Sequence, residues 1–264
     1  MPVVIEGAPS SIDVVNVLRD NIFTYGTVTW SSQATGFDAL NATEDETWNS
    51  WRPTSVPANL VCDVGFDKSC NCAGIAAHTL GSSGSTVLVQ YSSDNSTWTT
   101  AISYAPLTDE DIMLFWELQT ARYWRVRITG AVANIGVAFV GGRLAFPATV
   151  LSGHKPLHHS KRVELLSNSS MTGQFLGNRR VKASAQTNVN LGLLDRSWVE
   201  GQLPAFEAHY NDGRTFFYCS DPTNSPKDFG YCRRPQDADE MNITWEEGDI
   251  LAQVDFEVEA FVSA

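Results

Sequence analysis

Apolar and polar residues alternate in short runs along most of the chain, which predicts strands rather than helices. Between positions 123 and 128, Trp124, Val126 and Ile128 fall on one face, and the residues between them fall on the other. Residues 250–262 show the clearest alternation, with apolar side chains at every second position. A period of two buries one face of a strand and leaves the other toward solvent. The pattern therefore predicts antiparallel sheets.

In the first half, six short apolar stretches separated by turns rich in Gly and Ser are predicted to form one sandwich. They are Val61–Val64, Ala73–His78, Thr86–Tyr91, Ile112–Glu117, Tyr123–Ile128 and Val137–Leu144. We expect Val28–Trp30 to precede them as a first strand and Leu144–Pro147 to close the sandwich.

The second half is also predicted to be mainly β, with one short helix. The helix is expected over Trp198–Tyr210, interrupted by Gly201 and Pro204. The strands are expected at Val181–Leu193, Thr215–Cys219, Phe229–Cys232 and Ile250–Val262.

The predicted fold class is therefore all-β, with at most a short helix in the second half. A polar, breaker-rich stretch at Ser152–His159 places a boundary near residue 150. We divide the chain into an N-terminal arm at 1–26, a β-sandwich at 27–150 and a β-rich domain at 151–264. The arm is expected to dock on a neighbouring subunit.

The sandwich region resembles a known family in the order of its sequence motifs. The motifs are Ala42–Pro53, Val61–Gly65, Gly74–Gly81, Val87–Trp98 and Ala121–Gly130. Together they resemble the discoidin, or coagulation-factor type C, domain, a galactose-binding-like jelly roll, over residues 41–147. The sequences of His78–Gly81 and Ala121–Arg125 are similar to those of discoidin-like domains found in virion proteins of tailed phages. The resemblance implies a binding or structural role rather than catalysis.

The second half resembles the structural β-domains of distal-tail and minor-tail proteins of long-tailed phages. The matching segments are Arg214–Tyr218, Asp228–Tyr231 and Asp249–Val262. This resemblance implies a ring of copies, a trimer or hexamer, that contacts other tail proteins in a virion made in the host cytoplasm. The order of the domains departs from distal-tail proteins, in which the ring domain comes first. The exact tail position and the symmetry are therefore left open.

Charge narrows the possible partners. The formal net charge is −12 and neither half is basic, which argues against nucleic acid as a partner. Residues 154–182 nevertheless carry six Lys or Arg and one acid, whereas the chain after Arg234 carries nine acids and no base. Such segregation predicts steering between neighbouring subunits, with ordinary solvated loops as the alternative. No apolar run is long enough to predict membrane insertion, and no signal peptide is visible.

The five cysteines are expected to be reduced thiols. Cys219 and Cys232 could meet across a hairpin, and their redox state is left open. No cofactor is indicated except a possible calcium ion at the acidic run formed by Glu44, Asp45 and Glu46, because calcium prefers oxygen ligands. A solvated acidic turn is the alternative for that run.

Sugar recognition needs an aromatic platform and polar side chains on loops. The candidates are Trp30, Trp48, Arg52 and His78, with core packing or loop support as the alternative. Trp51 and Trp98 are predicted as core residues. The three histidines within residues 154–159 are interpreted as part of a polar linker rather than a metal site.

No catalytic motif is present, so the protein is not expected to be an enzyme. The leading hypothesis is a structural protein of a long-tailed phage virion, at the tail tip or baseplate. It would assemble through its C-terminal domain and display a carbohydrate-binding module toward host surface glycans. The alternative is a carbohydrate-binding adhesin, or a non-catalytic accessory module of a glycosidase.

Overall fold

The computed structural model describes residues 3–246, 248 and 250–262. The ends of the predicted domains (residues 1–2 and 263–264) and Asp249 lie outside the described residues. The strands are β1 (Val3–Ile5), β2 (Asn16–Leu18), β3 (Thr27–Trp30), β4 (Ala58–His78), β5 (Thr86–Ser92), β6 (Thr99–Tyr104), β7 (Ile112–Thr129), β8 (Ile135–Gly141), β9 (Leu144–Ala145), β10 (Lys161–Ser169), β11 (Phe175–Asp195), β12 (Phe216–Cys219), β13 (Phe229–Arg233), β14 (Asn242–Glu246) and β15 (Leu251–Ala260). The α-helices are α1 (Leu80–Ser83), α2 (Arg196–Gln202) and α3 (Pro204–Asn211), and single 3₁₀ turns occupy Ile22–Thr24, Ala39–Thr43 and Leu157–His159. This composition confirms the all-β fold class.

Two long strands, β4 and β7, build both layers of the first sheet. The sheet order is β3-β4-β7-β5-β6, with β1 beside β7 and β8 beside β4. The pairing of β4 with β7 is irregular between Asp63 and Lys68, where Gly65 has a φ of +85°. The first half of β4 pairs with β3 and the second half with β8, so both long strands fold over into a second layer. The stretches predicted as four separate strands are thus two continuous ones.

In the second layer, successive side chains of a strand point to opposite faces, and both faces are buried. Ile75, Leu114 and Ala138 point into the core shared with the first layer. The neighbouring residues on the same strands, such as Ala76 and Met113, belong to a different apolar cluster on the outer face. A strand buried on both faces needs a cover on its outer side.

The second sheet supplies that cover. Its order is β10-β11-β15-β13-β12-β2-β9, with β14 beside β15. Residues expected in an N-terminal arm contribute to both sheets, because β1 pairs with β7 and β2 pairs with β12. Residues 144–145, expected to close the sandwich, pair instead with β2 in the second sheet. The division of the chain near residue 150 stays a prediction.

An apolar layer lies between the two sheets, and we call it the inter-sheet layer. It joins Phe139 and Met113 of the first sheet to Phe217 and Tyr231 of the second. The ring centroids of Phe139 and Phe217 are 5.5 Å apart in an edge-to-face arrangement, and those of Phe217 and Tyr231 are 4.9 Å apart. Fully buried aromatic pairs of this kind contribute beyond the area that they bury.

Alternation along β12 divides its side chains between two cores. Phe217 and Cys219 face the inter-sheet layer, whereas Phe216 and Tyr218 face the core covered by the helices. The helices α2 and α3 are separated just before Pro204, where the sequence predicted an interruption. The interruption predicted at Gly201 is wrong, because Gly201 lies inside α2. From α3, Phe206 packs edge-to-face on Phe216 at 5.2 Å.

All five cysteines are free and buried. Cys219 lies in the inter-sheet layer and Cys232 in the core beneath the helices. The register pairs Cys219 with Phe229 and Cys232 with Phe216, so the two thiols are neither opposite each other nor on the same face. This geometry does not allow the disulfide across the hairpin that the sequence left open.

The hairpin of β10 and β11 extends beyond the body of the second sheet. The side chain of Ala185 is buried, whereas every residue from Lys161 to Lys182 except Ser170 is exposed. We call residues 161–182 the hairpin arm. No helix among the described residues is long and apolar enough to cross a membrane.

The inter-sheet layer leaves no room for a side chain at Gly74. A Cβ atom there would lie 2.4 Å from Cδ2 of the Phe217 ring. We expect Gly74→Ala to lower the free energy of unfolding by about 1 to 3 kcal/mol, because the ring must shift within a close-packed core. Chemical denaturation followed by Trp fluorescence measures this change.

Gly201 provides the matched control, because it lies in α2 with no atom within 4 Å of its Cβ position. Gly201→Ala is expected to be neutral or to stabilise by up to about 1 kcal/mol, since Ala favours helix. Equal effects of the two substitutions would contradict the close packing of Gly74 on Phe217.

Candidate functional site

Four loops meet at one end of the sandwich, and we call this the loop end. They comprise residues 31–57, 79–85, 105–111 and 130–134. Hydrogen bonds join them: the backbone N–H of Thr79 donates to the carbonyl of Asn134, that of Ser82 to Oδ1 of Asp109, and the hydroxyl of Ser85 to the carbonyl of Ala131. The loop end is therefore a connected surface on a fixed scaffold.

Trp51 anchors the longest of these loops. Its backbone exchanges hydrogen bonds with Ile135 at 2.8 and 3.0 Å. Its indole N–H donates to the carbonyl of Ser32 at 2.9 Å, and the side chain is fully buried. Because the anchor fixes the backbone, the side chains on either side of it are held on the surface.

Three of the four predicted sugar-binding residues lie on this part of the chain and are exposed. Trp48 has 84% of its surface exposed. Trp30, at the end of β3, is exposed to a smaller extent, at 37%. Arg52 is exposed, and its guanidinium carbon lies 5.9 Å from the centroid of the Phe37 ring. An exposed indole and an exposed arginine on one loop offer an apolar face and hydrogen-bond donors, respectively.

His78 does not lie on the surface as the sugar-binding prediction requires. It is 4% exposed, and both ring nitrogens are used within the protein. The backbone N–H of Leu80 donates to Nδ1 at 3.2 Å, so Nε2 carries the proton and donates to the carbonyl of Glu110 at 2.8 Å. Burial lowers the pKa of His78. The residue supports the loop end and has no nitrogen left for a ligand.

The acidic run belongs to the loop end and lies on its side toward the second sheet. Glu44, Asp45 and Glu46 are exposed, and the Asp45 carbonyl accepts a hydrogen bond from the Tyr231 hydroxyl at 2.9 Å. No group of three or more His, Cys, Asp or Glu side chains suited to a metal ion occurs in the part of the chain that the structure describes. The contacts that the structure shows for this run are with Tyr231 and with Asn49, whose side-chain amide donates to Oε2 of Glu44 at 3.5 Å.

A groove of about 660 Å³ opens between the loop end and the second sheet. From the loop end it is lined by Tyr104, Leu107 and Asp111, and from the second half by His158, Lys227 and Phe229, among others. The volume is in the range of small-molecule sites, and the lining mixes aromatic, aliphatic and charged groups.

Among the residues of this groove, Asp111 has the pKa that departs furthest from its ordinary value. It is 8% exposed, Oδ2 accepts the backbone N–H of Tyr231 at 3.1 Å, and Oδ1 has no hydrogen-bond partner among the described residues. Burial raises the pKa of Asp111 to about 7, although the backbone N–H groups of Tyr231 and Ala77 oppose the shift. A neutral carboxyl group here can donate a hydrogen bond as well as accept one.

The opposite wall of the groove is held by a buried ion pair. Nε2 of His154 lies 2.7 Å from Oδ2 of Asp228, and Nδ1 lies 3.1 Å from the carbonyl of Asn188. Both ring nitrogens therefore face acceptors, which favours the imidazolium form. Burial alone lowers the pKa of His154, but the hydrogen bond and charge of Asp228 outweigh it and raise the pKa. Oδ1 of Asp228 also accepts the backbone N–H of Leu157 at 2.7 Å, which positions the turn that carries His158.

The sequence did not indicate this groove. Asp111 and Phe229 are far apart in the chain, and Phe229 was noted only as part of the segment Asp228–Tyr231. The histidine group was noticed but interpreted as a linker, whereas the structure places His154 in an ion pair and His158 in the groove wall. Only the packing of the two sheets brings these side chains together.

Comparison with known proteins identifies no family. No family model matches the chain, and no curated protein matches it. Among solved structures, chitosan-binding module 1 from a chitosanase/glucanase of Paenibacillus sp. IK-5 is similar, with 23% identity over 47% of this chain and 100% of the module, at a TM-score of 0.39. The module CpGH89CBM32-6 of Clostridium perfringens has 15% identity over 47% of this chain and 99% of its own, with a TM-score of 0.41. The match to a Ruminococcus gnavus GH29 fucosidase in complex with fucose has 16% identity, covers 47% of this chain and 27% of the fucosidase, and has a TM-score of 0.40.

The buried Asp111 makes stability depend on pH. The folded carboxyl titrates near pH 7, whereas an unfolded aspartate ionises near pH 3.9. The folded state therefore binds the extra proton between these values, and the free energy of unfolding falls by roughly 3 to 4 kcal/mol as the pH rises from 4 to 7. We expect Asp111→Asn to remove the contribution of Asp111 to this fall in the free energy of unfolding. Denaturation at a series of pH values measures the change.

Glu110→Gln is the control, because Glu110 is the exposed neighbour of Asp111. Its profile should keep most of the fall of the unmodified chain, including any contribution from His154, because burial is the first cause of the raised pKa of Asp111 and the charge of Glu110 the last. An Asp111→Asn variant with an unchanged profile would show that the carboxyl group is not buried in solution.

Proposed function

We propose that this chain is a non-catalytic protein that binds carbohydrate through the loop end of its sandwich. The observation that carries the proposal is the exposed indole of Trp48. It lies on a loop that the buried side chain of Trp51 anchors to the sandwich. A buried anchor next to an exposed aromatic residue is the arrangement expected for recognition, because the platform needs little ordering when the ligand binds.

The chemistry of this surface suits a sugar ring. The C–H face of a pyranose stacks on an indole, and its hydroxyl groups need donors and acceptors around the edge. Arg52 is exposed four residues from Trp48 and supplies donors. Discoidin-like domains, which residues 41–147 resemble, bind ligands through loops of this kind, and this supports the proposal. Trp30 is the second aromatic candidate, and His78 is not part of the proposed site because it is buried.

A second function, as a structural subunit of a long-tailed phage tail, is favoured by the hairpin arm. An arm in which no side chain is buried has no role in the core of a single copy. In this proposal the second half assembles copies at the tail tip or baseplate, and the sandwich is displayed on the virion. The resemblance of Arg214–Tyr218 and Asp228–Tyr231 to tail β-domains supports the same function.

The carbohydrate proposal predicts that Trp48 dominates the affinity. Trp48→Ala should weaken binding by at least about tenfold, which corresponds to a loss of about 1.4 kcal/mol from the stacking contact. Isothermal titration calorimetry with galactose, fucose and chitotriose, followed by a wider glycan array, measures the effect.

Phe66→Ala is the control, because Phe66 is exposed on the bend of β4, away from the loop end. This variant should bind as the unmodified chain does. If no sugar in the array binds, or if both variants bind equally, the proposal for Trp48 is wrong.

The tail proposal predicts assembly in the absence of any sugar. The purified chain should form a discrete ring of three or six copies, measured by light scattering and electron microscopy. A chain that remains a 29.0 kDa monomer at high concentration would count against this function and would leave the carbohydrate proposal untouched.

A further inference from the structure

The hairpin arm exposes an unusual number of apolar side chains. Phe175 is 93% exposed and Leu166 is 66% exposed. The others with large exposed surfaces are Val163, Leu165, Met171, Leu176 and Val181. An apolar surface of this kind on a monomer is typical of a site that another molecule covers.

The arm is also expected to have little stability on its own. It is a two-stranded ribbon in which Arg162 pairs with Ser184 near the body and Ser169 pairs with Phe175 near the tip. At about 3.3 Å per residue its strands project about 23 Å from the body. An isolated two-stranded hairpin is marginally stable in water. A partner that covers the arm would supply the missing burial.

The charge of the arm indicates what kind of partner it fits. Residues 161–182 carry five Lys or Arg and one acid in a chain whose net charge is −12. Lys182 pairs with Glu259 of the same chain. Arg179 and Arg180 form no ion pair with the described residues, so they are available to an acidic partner.

An acidic surface that complements the basic arm lies on the same chain. Asp237, Asp239 and Glu240 are exposed just before β14, and Glu246 is exposed at its end. Among the described residues, β14 pairs only with β15, so its other edge has free backbone N–H and C=O groups. We call these acids together with β14 the acidic edge. Trp245 of this strand is 36% exposed and adds an apolar contact.

The arm cannot reach the acidic edge of its own chain. β14 pairs with the Leu251–Asp255 part of β15, whereas the arm leaves the sheet where Ala185 pairs with Ala260. The residues of β11 that precede Ala185 belong to the arm, and they extend beyond Ala260 in the direction away from β14. The two surfaces therefore lie toward opposite ends of β15, and only another molecule can bring an arm to this edge.

We propose that the hairpin arm of one copy docks on the acidic edge of a second copy. Charge complementarity and a free strand edge on one partner match the basic, apolar ribbon on the other. Because the two surfaces differ, the contact is head-to-tail and propagates until the ring closes. This inference deepens the assembly function proposed above and rests on it.

The test uses two charge-reversed full-length variants. Arg179→Glu with Arg180→Glu reverses the arm, and Asp239→Lys with Glu240→Lys reverses the acidic edge. At moderate salt, each variant alone should lose the assembled species seen for the unmodified chain, with at least about a tenfold weaker association. An equimolar mixture should recover head-to-tail assemblies in which the two variants alternate, with an even number of copies, because each reversed surface then meets a complementary one. Mass photometry and light scattering provide the masses.

The control carries the same change in charge at exposed positions outside the arm, Lys155→Glu with Lys227→Glu, and should assemble normally. Thermal unfolding verifies that all variants are folded. If the unmodified chain assembles and either variant alone still assembles as well, docking of the arm on this edge is wrong while the assembly function stands. Failure of the mixture to recover the assembly would also overturn the docking. A monomeric unmodified chain would overturn both.

Discussion

The inter-sheet layer is the contact on which the rest of the molecule depends. The second layer of the sandwich has an apolar outer face, and without a cover that face would meet water along the whole length of β8 and half of β4. The second sheet covers it with Phe217 and Tyr231. Gly74 lets the Phe217 ring approach the β4 backbone directly. A sandwich with this outer face is therefore not expected to be a self-sufficient module, whatever the resemblance of its sequence.

Tyr231 links this layer to the surfaces proposed for function. Its ring packs on Phe139 and Phe217. Its backbone N–H donates to Asp111 and its hydroxyl to the carbonyl of Asp45. One residue of the second sheet thus holds two loops of the loop end and one wall of the groove. The buried Asp111 is destabilising when ionised, and the backbone N–H of Tyr231 offsets part of that cost by donating to its carboxylate.

The sequence predicted the elements better than their arrangement. Period-two alternation located β3 and β15, an apolar run after a turn located β12, and Pro204 located the break between α2 and α3, because local chemistry determines these features. The continuity of β4 and β7 was missed, since a bend in a long strand looks like a turn when only the sequence is read. The burial of His78 and the exposure of the arm could not be predicted, because both depend on residues distant in the chain. Trp98 was expected in the core, but it lies partly exposed with the guanidinium carbon of Arg125 4.1 Å from its ring centroid.

Binding and assembly would reinforce each other in free-energy terms. A single sugar stacked on one exposed indole, without a deep enclosing pocket, is expected to bind weakly, since little of its surface is removed from water. Copies held head-to-tail by the arm would present several Trp48 side chains at fixed spacing. Each later contact then forms at a high effective concentration, so overall affinity rises without any change in the individual site. The loop end alone would make a poor receptor-binding surface, and the arm is the feature of the fold that would make it sufficient.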